Sequence, residues 1–310
     1  MKSVPNAFRT CAWTLAIAVM PLPAGPLSAA PLSATIMPAW MQAGSAPADQ
    51  PAMVAPSGPG YADLADLVLS APVIADVTIR STTPIKGAEA MGVAPGHQRL
   101  YVEADVGTLI RGSGGLPERI GYLFDAETDA RGRAPKLRKM RVLIYARRVP
   151  NAADQLQLIA PDAQLPWTPD SEARSRTIAR DALSPDAPPV ITGIGNAFYV
   201  PSSLPGEGET QIFLTTANNR PVSLSVLRRP GQDRRYAVAL SEIVDESAAP
   251  PARDTLLWYR LACALPDSLP EHSTASLSPD NAQAAREDYQ FVMQKLGACG
   301  RTRQAVTTSD

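Results

Sequence analysis

Between residues 73 and 160 apolar and polar side chains alternate in five separate runs, and a period of two suits a half-buried β-strand. Val73, Ala75, Val77 and Ile79 share one face of the first run, Val73–Ser81. Leu100, Val102, Ala104 and Val106 repeat the pattern, then Ile120, Tyr122 and Phe124. Met140, Val142, Ile144 and Ala146 follow, then Leu156, Leu158 and Ala160. Glycine and proline stand between the runs, where turns need them. Five strands without regular intervening helices predict an antiparallel sheet and argue against a parallel α/β one. A short helix over Tyr61–Leu69, stopped by Pro72, precedes them.

The second half reads differently. Thr168-Pro169 suits a helix start, with Thr as N-cap and Pro at the first position. Residues 170–183 are charged and weakly amphipathic, which predicts a surface helix, and 186–189 reads as a linker. A meander follows over Ala197–Val200, Thr210–Thr216, Val222–Arg229 and Tyr236–Val244, with turns at Asn218-Asn219 and Pro230-Gly231. Asp254 is placed to cap a helix over Thr255–Leu265. Ser278-Pro279 opens another that Gly297 ends, its apolar stripe being Ala282, Ala285, Tyr289, Val292 and Leu296. The expected fold is α+β: an antiparallel β-rich body, sandwich-like in outline, with C-terminal helices. Expected boundaries are a first β block over 61–185, a meander with two helices over 186–300, and a disordered tail over 301–310.

The front of the chain is a separate compositional block. Lys2 and Arg9 precede an apolar run, Cys11–Leu22, too short for the ~20 residues a bilayer span needs. Small residues follow, and the first acid is Asp49. Residues 1–34 therefore read as a secretory signal peptide, and 35–60, rich in Ala, Pro and Gly, as a flexible tether. Export in a bacterium means the periplasm or outside. No second long apolar run follows, so no transmembrane segment is expected in the mature chain. Its charge, 27 cations against 30 acids once Lys2 and Arg9 are removed, offers nucleic acid no bulk attraction.

Cleavage leaves Cys263 and Cys299 as the only cysteines, and in an oxidising compartment two thiols pair. A plain antiparallel hairpin of the last two helices would hold these cysteines far apart. The pairing therefore predicts that residues 266–277 run back along the second helix and leave the two helix C-termini together.

Chemistry is harder to find. Gly193-Ile-Gly195 opens a dinucleotide fingerprint, but Phe198 stands where the third glycine belongs and an extended run follows. Gly112-Ser113-Gly114-Gly115 is no phosphate loop. Asp125, Glu127 and Asp129 start a calcium loop that fails at Ala130 and Lys136. A zinc site on Cys263, His272 and Cys299 lacks a fourth ligand. No cofactor or metal is expected. Tyr101, Glu103 and Asp105 share the polar face of one strand, and His97 sits in the loop before it. Arg131, Arg133, Lys136, Arg138, Lys139 and Arg141 place six cations in eleven residues, a candidate patch for an anion or partner or a charged strand edge.

The stretches TIRSTTPIKG (78–87), PDAQLPWTP (161–169), PGEGETQIFLTT (205–216) and DTLLWYRLACALP (254–266) resemble a family of uncharacterised exported proteins of alphaproteobacteria, sphingomonad-like in character. The resemblance implies export and no particular activity. With no catalytic motif meeting its spacing, the expectation is a non-catalytic periplasmic binding or assembly protein with an envelope partner. The alternative is a hydrolase built near His97 or the Glu103/Asp105 pair.

Overall fold

A computed structural model describes residues 58–241 and 248–303. The expected signal peptide, the expected tether up to residue 57, the expected end of the fourth meander strand and residues 304–310 lie outside the described residues. The element order is α1 (Tyr61–Ser70), β1 (Val73–Pro84), β2 (His97–Arg111), β3 (Arg119–Glu127), β4 (Arg141–Val149), β5 (Ala152–Leu158), β6 (Gln164–Pro166), α2 (Pro169–Leu183), β7 (Ile191–Pro201), β8 (Gly208–Thr216), β9 (Val222–Arg228), β10 (Arg235–Ala239), α3 (Leu256–Ala262) and α4 (Pro279–Leu296). This is an α+β fold with a β-rich body and helices at the end, as the patterning predicts.

The first sheet closes on itself. Its order is β1-β2-β3-β5-β4-β6, and β1 also pairs with β4, from Val73 opposite Ala146 to Thr78 opposite Arg141. The result is a five-stranded barrel, not one layer of a sandwich. Every pairing is antiparallel except β3 with β5, which run parallel at Gly121–Gln155 and Tyr122–Leu156. The order 1-2-3-5-4-1 is that of the oligonucleotide/oligosaccharide-binding barrel. The predicted faces point inward: Val73, Ala75, Val77, Ile79, Leu100, Val102, Ala104, Ile120, Tyr122, Val142, Ile144 and Leu156 form one core. Leu137, from the β3–β4 connection, joins that core. β6, three residues long, escapes a periodicity reading.

One flank of the barrel is covered. Ile74 on β1 and Leu143 and Tyr145 on β4 point outward into a second core with α1, α2, α3, α4 and the inner face of the second sheet. That two-sided burial explains the unbroken apolar run Val142–Ala146. Seven of ten residues of α1 are buried, as expected of a helix enclosed by neighbours. The expected surface helix α2 also contributes: Ser171, Ser175, Ile178 and Ala179 are buried, because the other face of its weak moment packs on α1 and Tyr145. Thr168 caps it with a capping box.

The second sheet is the predicted meander, β10-β9-β8-β7, all antiparallel. It is held to α4 by Asp288, fully buried, which accepts from Arg228 Nε at 2.8 Å and from Thr210 Oγ1.

A disulfide joins Cys263 and Cys299, with Cα atoms 4.9 Å apart. The connection after α3 runs back along α4 as the pairing requires: Pro266 O accepts from Tyr289 Oη, Asp267 O from Gln290, and Thr274 Oγ1 from Arg286. The cap of α3 is Thr255 rather than Asp254. Thr255 accepts from Trp258 N, while Asp254 adopts a left-handed backbone one residue earlier.

Residues 301–303 are ordered, contrary to the expected frayed tail. Thr302 N, Thr302 Oγ1 and Arg303 N all donate to Asp63, which is 1% exposed. Arg301 grips Asp66 with Nε at 2.6 Å, and Arg303 grips Asp162 with Nε at 2.6 Å. The tail is thereby latched across α1.

Two predictions follow from these ties. Truncation after Gly300 strips a buried carboxylate of its donors and is expected to cost about 3 kcal/mol by chemical denaturation. The Arg303 hydrogen bond holds the Asp162 carboxyl below its usual range. Its share of the latch is therefore complete above about pH 4, the unfolded value. That share fades as pH falls through the lower folded value. The gap between full-length and truncated chains should narrow there. Separately, Cys263→Ser/Cys299→Ser is expected to lower stability by up to roughly 4 kcal/mol for the loop closed. Two free thiols titrated in the denatured, unreduced exported protein would contradict the bond.

Candidate functional site

The uncovered flank of the barrel, formed by the outer faces of β2, β3, β5 and the end of β4, carries a groove of about 680 Å³. Its middle is set by an absent side chain. Gly121 sits in β3 beneath the ring of Tyr101 from β2, and an added Cβ would stand 2.7 Å from Tyr101 Cζ and 2.8 Å from Gln155 Oε1. Mid-strand glycine of this kind marks a close approach. Gln155 from β5 donates to Tyr101 Oη at 3.1 Å, so the phenol lies across the strands.

The rest of the lining surrounds that ring. Leu123, two residues along β3, is 48% exposed. Arg147 on β4 donates Nε to Gln157 Oε1 at 3.1 Å, which fixes one amide and leaves the guanidinium amino groups toward the groove. At the other end Arg99 and Asp125 form a bidentate pair, both bonds 2.8 Å. The hydrogen bond to Asp125 raises the Arg99 pKa further, so the guanidinium stays charged. Arg99 also donates to Glu89 O and Met91 O, tying the β1–β2 connection to this rim. Such a surface offers an aromatic face, amide donors and acceptors, one neutralised ion pair and, in Arg147, one further cation.

Of the residues singled out from sequence, Tyr101 and Asp125 belong here. Glu103 and Asp105 are solvent-face groups: Glu103 accepts from Ser81 Oγ at 2.6 Å, and Asp105 lies 3.4 Å from Arg80 and 3.6 Å from Arg119. His97 is exposed and contacts Pro95 O. It stands eight residues along β2 from Asp105, about 26 Å at strand rise, so the structure does not gather these groups into one centre. His272 Nε2 meets Ile194 O at 3.1 Å, beside the bulged strand β7. The acids of the failed calcium loop are occupied, Asp125 by Arg99 and Asp129 by Arg133. Gly193 and Gly195 lie within β7, the extended run expected after them.

The cation run is not a strand edge. Residues 128–140 form the β3–β4 connection at one end of the barrel. Arg141 leaves the patch: its guanidinium is bidentate to Asp76 at 2.8 and 2.7 Å and stacks 3.6 Å over Trp167. Arg133 is held by Asp129, while Arg131, Lys136, Arg138 and Lys139 are exposed on the loop.

Sequence reasoning missed Arg99, Leu123, Arg147, Gln155 and Gln157, because the groove depends on which strands become neighbours. The one signal within reach was Gly121, a glycine inside an alternating strand. Comparison with family models and with curated proteins finds no match.

Gly121→Ala is expected to destabilise by about 1–3 kcal/mol through overpacking against Tyr101. Gly115→Ala, where nothing lies within 4 Å, should be neutral or stabilising by about 0.4–1 kcal/mol. Adding Tyr101→Ala to Gly121→Ala should recover the loss. Denaturation of the three variants checks the geometry.

Proposed function

We propose that the chain is a non-catalytic binding protein of the bacterial periplasm or exterior, whose ligand lies along the barrel groove. The observation that carries this reading is Tyr101, its phenol end over Gly121 and held by Gln155, with half-exposed Leu123 opposite it on β3. A flat aromatic next to an aliphatic platform stacks on the apolar face of a sugar ring. The amides of Gln155 and Gln157 and the amino groups of Arg147 match ring hydroxyls, which both donate and accept. The favoured ligand is an extended, uncharged saccharide. Nucleic acid is disfavoured because the Arg99 charge is already spent on Asp125 and Arg147 alone remains, whereas phosphate backbones need several free cations.

Barrels of this strand order present the β2–β3 face to polymeric ligands. Fold analogy alone assigns no function, so the weight rests on the lining. Export is supported by the leader-like residues 1–34, by the resemblance to exported proteins, and by the disulfide, which belongs to oxidising compartments. Among the described residues no helix is long and apolar enough to cross a membrane.

Isothermal titration against a panel of soluble oligosaccharides, including cell-wall fragments, tests the reading. A binder is expected whose affinity falls at least tenfold in Tyr101→Ala and in Gln155→Ala, and stays unchanged in His97→Ala. A panel with no binder, or binding indifferent to Tyr101, would overturn it.

A further inference from the structure

The β1–β2 and β3–β4 connections leave the barrel at the same end, since β1 and β3 run toward it and β2 and β4 away from it. They are tied together there: Thr128 N and Oγ1 both donate to Gly96 O, at 2.8 and 2.9 Å. A shallow groove between Gln98 and Lys136 joins them further. The cation loop and the hairpin tip at Met91 therefore form one surface.

Its composition is unlike that of the chain as a whole, whose formal net charge is −1. Lys86, Arg131, Arg133, Lys136, Arg138 and Lys139 face three carboxylates, Glu89, Glu127 and Asp129, and Asp129 is engaged by Arg133. Asp162, from the β5–β6 connection at this end, is held by Arg303. Amid these charges Met91 is 75% exposed, more than any other large apolar side chain among the described residues, and Met140 is 38% exposed.

The loop is also firmly placed. Leu137 is buried in the barrel core, and Asp129 accepts from the backbone N–H of both Arg131 and Arg133. Lys139 N donates to Ile79 O and Ile79 N receives its partner in Met140 O, with Lys139 at φ 70°, a backbone that disfavours a side chain. Cations on one fixed connection and an exposed methionine on the connection tied to it match a surface that is both anionic and penetrable. They do not match a single pocketed ion, since the cations spread along the loop.

We infer that this end of the barrel docks on an anionic lipid surface, with Met91 entering the interface and Arg131, Lys136, Arg138 and Lys139 over the headgroups. The barrel groove, on the side wall, stays open in that pose.

The experiment is co-sedimentation of the mature protein with vesicles of phosphatidylcholine alone and of phosphatidylcholine mixed with phosphatidylglycerol, at low and high salt. Binding is expected to the mixed vesicles only, and should be lost at high salt as screening shortens. Arg131→Gln, Lys136→Gln and Arg138→Gln should each weaken it about fivefold, as expected for a basic residue near an anionic surface. Met91→Ser should weaken it severalfold at constant charge. Tyr101→Ala should leave vesicle binding intact, so this result and the saccharide result stand or fall separately. Met91, Arg131, Lys136 and Arg138 are exposed and Tyr101 is half-buried, and unchanged thermal midpoints confirm folding. Equal binding to neutral vesicles, or none to either, overturns the proposal. So does soluble polyphosphate binding as tightly as the mixed vesicles with Met91→Ser without effect, which would make the surface a polyanion site.

Discussion

The first strand pairs along both edges, with β2 on one side and β4 on the other, and the architecture hangs on that double pairing. A strand with no free edge closes the sheet and abolishes the exposed ladder that would otherwise invite aggregation. Closure also gives β1 and β4 two buried faces. Inward residues fill the barrel, and outward Ile74, Leu143 and Tyr145 start the second core against α1 and α2. The other strands keep one wet face, and the groove lies there.

Buried charge then fixes how the layers sit. Asp76, 2% exposed on the outer face of β1, is satisfied by Arg141, whose guanidinium is sandwiched against Trp167 just before α2. Asp288 does the same between α4 and the second sheet. Such pairs add little net stability over an apolar packing of similar shape, but losing one partner leaves a stranded charge. Their role here is positional: each admits one arrangement of its helix against its sheet.

Local pattern carried much of this into view. Alternation marked all five barrel strands and their inward faces, and Thr168, Ser278 and Gly297 marked helix ends, because these signals live within a few residues. Compartment reasoning about Cys263 and Cys299 even foretold the returning connection along α4. What stayed hidden depends on partners far away in the chain. Barrel closure needs β1 beside β4, and the parallel contact of β3 with β5 needs a crossover that periodicity cannot encode. The same holds for the latch. Arg301, Thr302 and Arg303 look like a polar tail until Asp63, Asp66 and Asp162 are seen opposite them. Tyr101 reads as one more solvent-face residue until Gly121 is placed beneath it.

The latch brings the two ends of the ordered body together. Gly60, the cap of α1, lies against Gly300, whose carbonyl oxygen would be 3.6 Å from a Cβ there. Chain ends that meet can be joined by a short peptide, and the ring so formed can be opened elsewhere without unpicking a strand. The turn at Asn218-Asn219, exposed and with Asn219 already in a left-handed backbone, is a natural place to open it. Circular permutation is thus available to this fold, and cargo fused at either end would leave the body from the same pole.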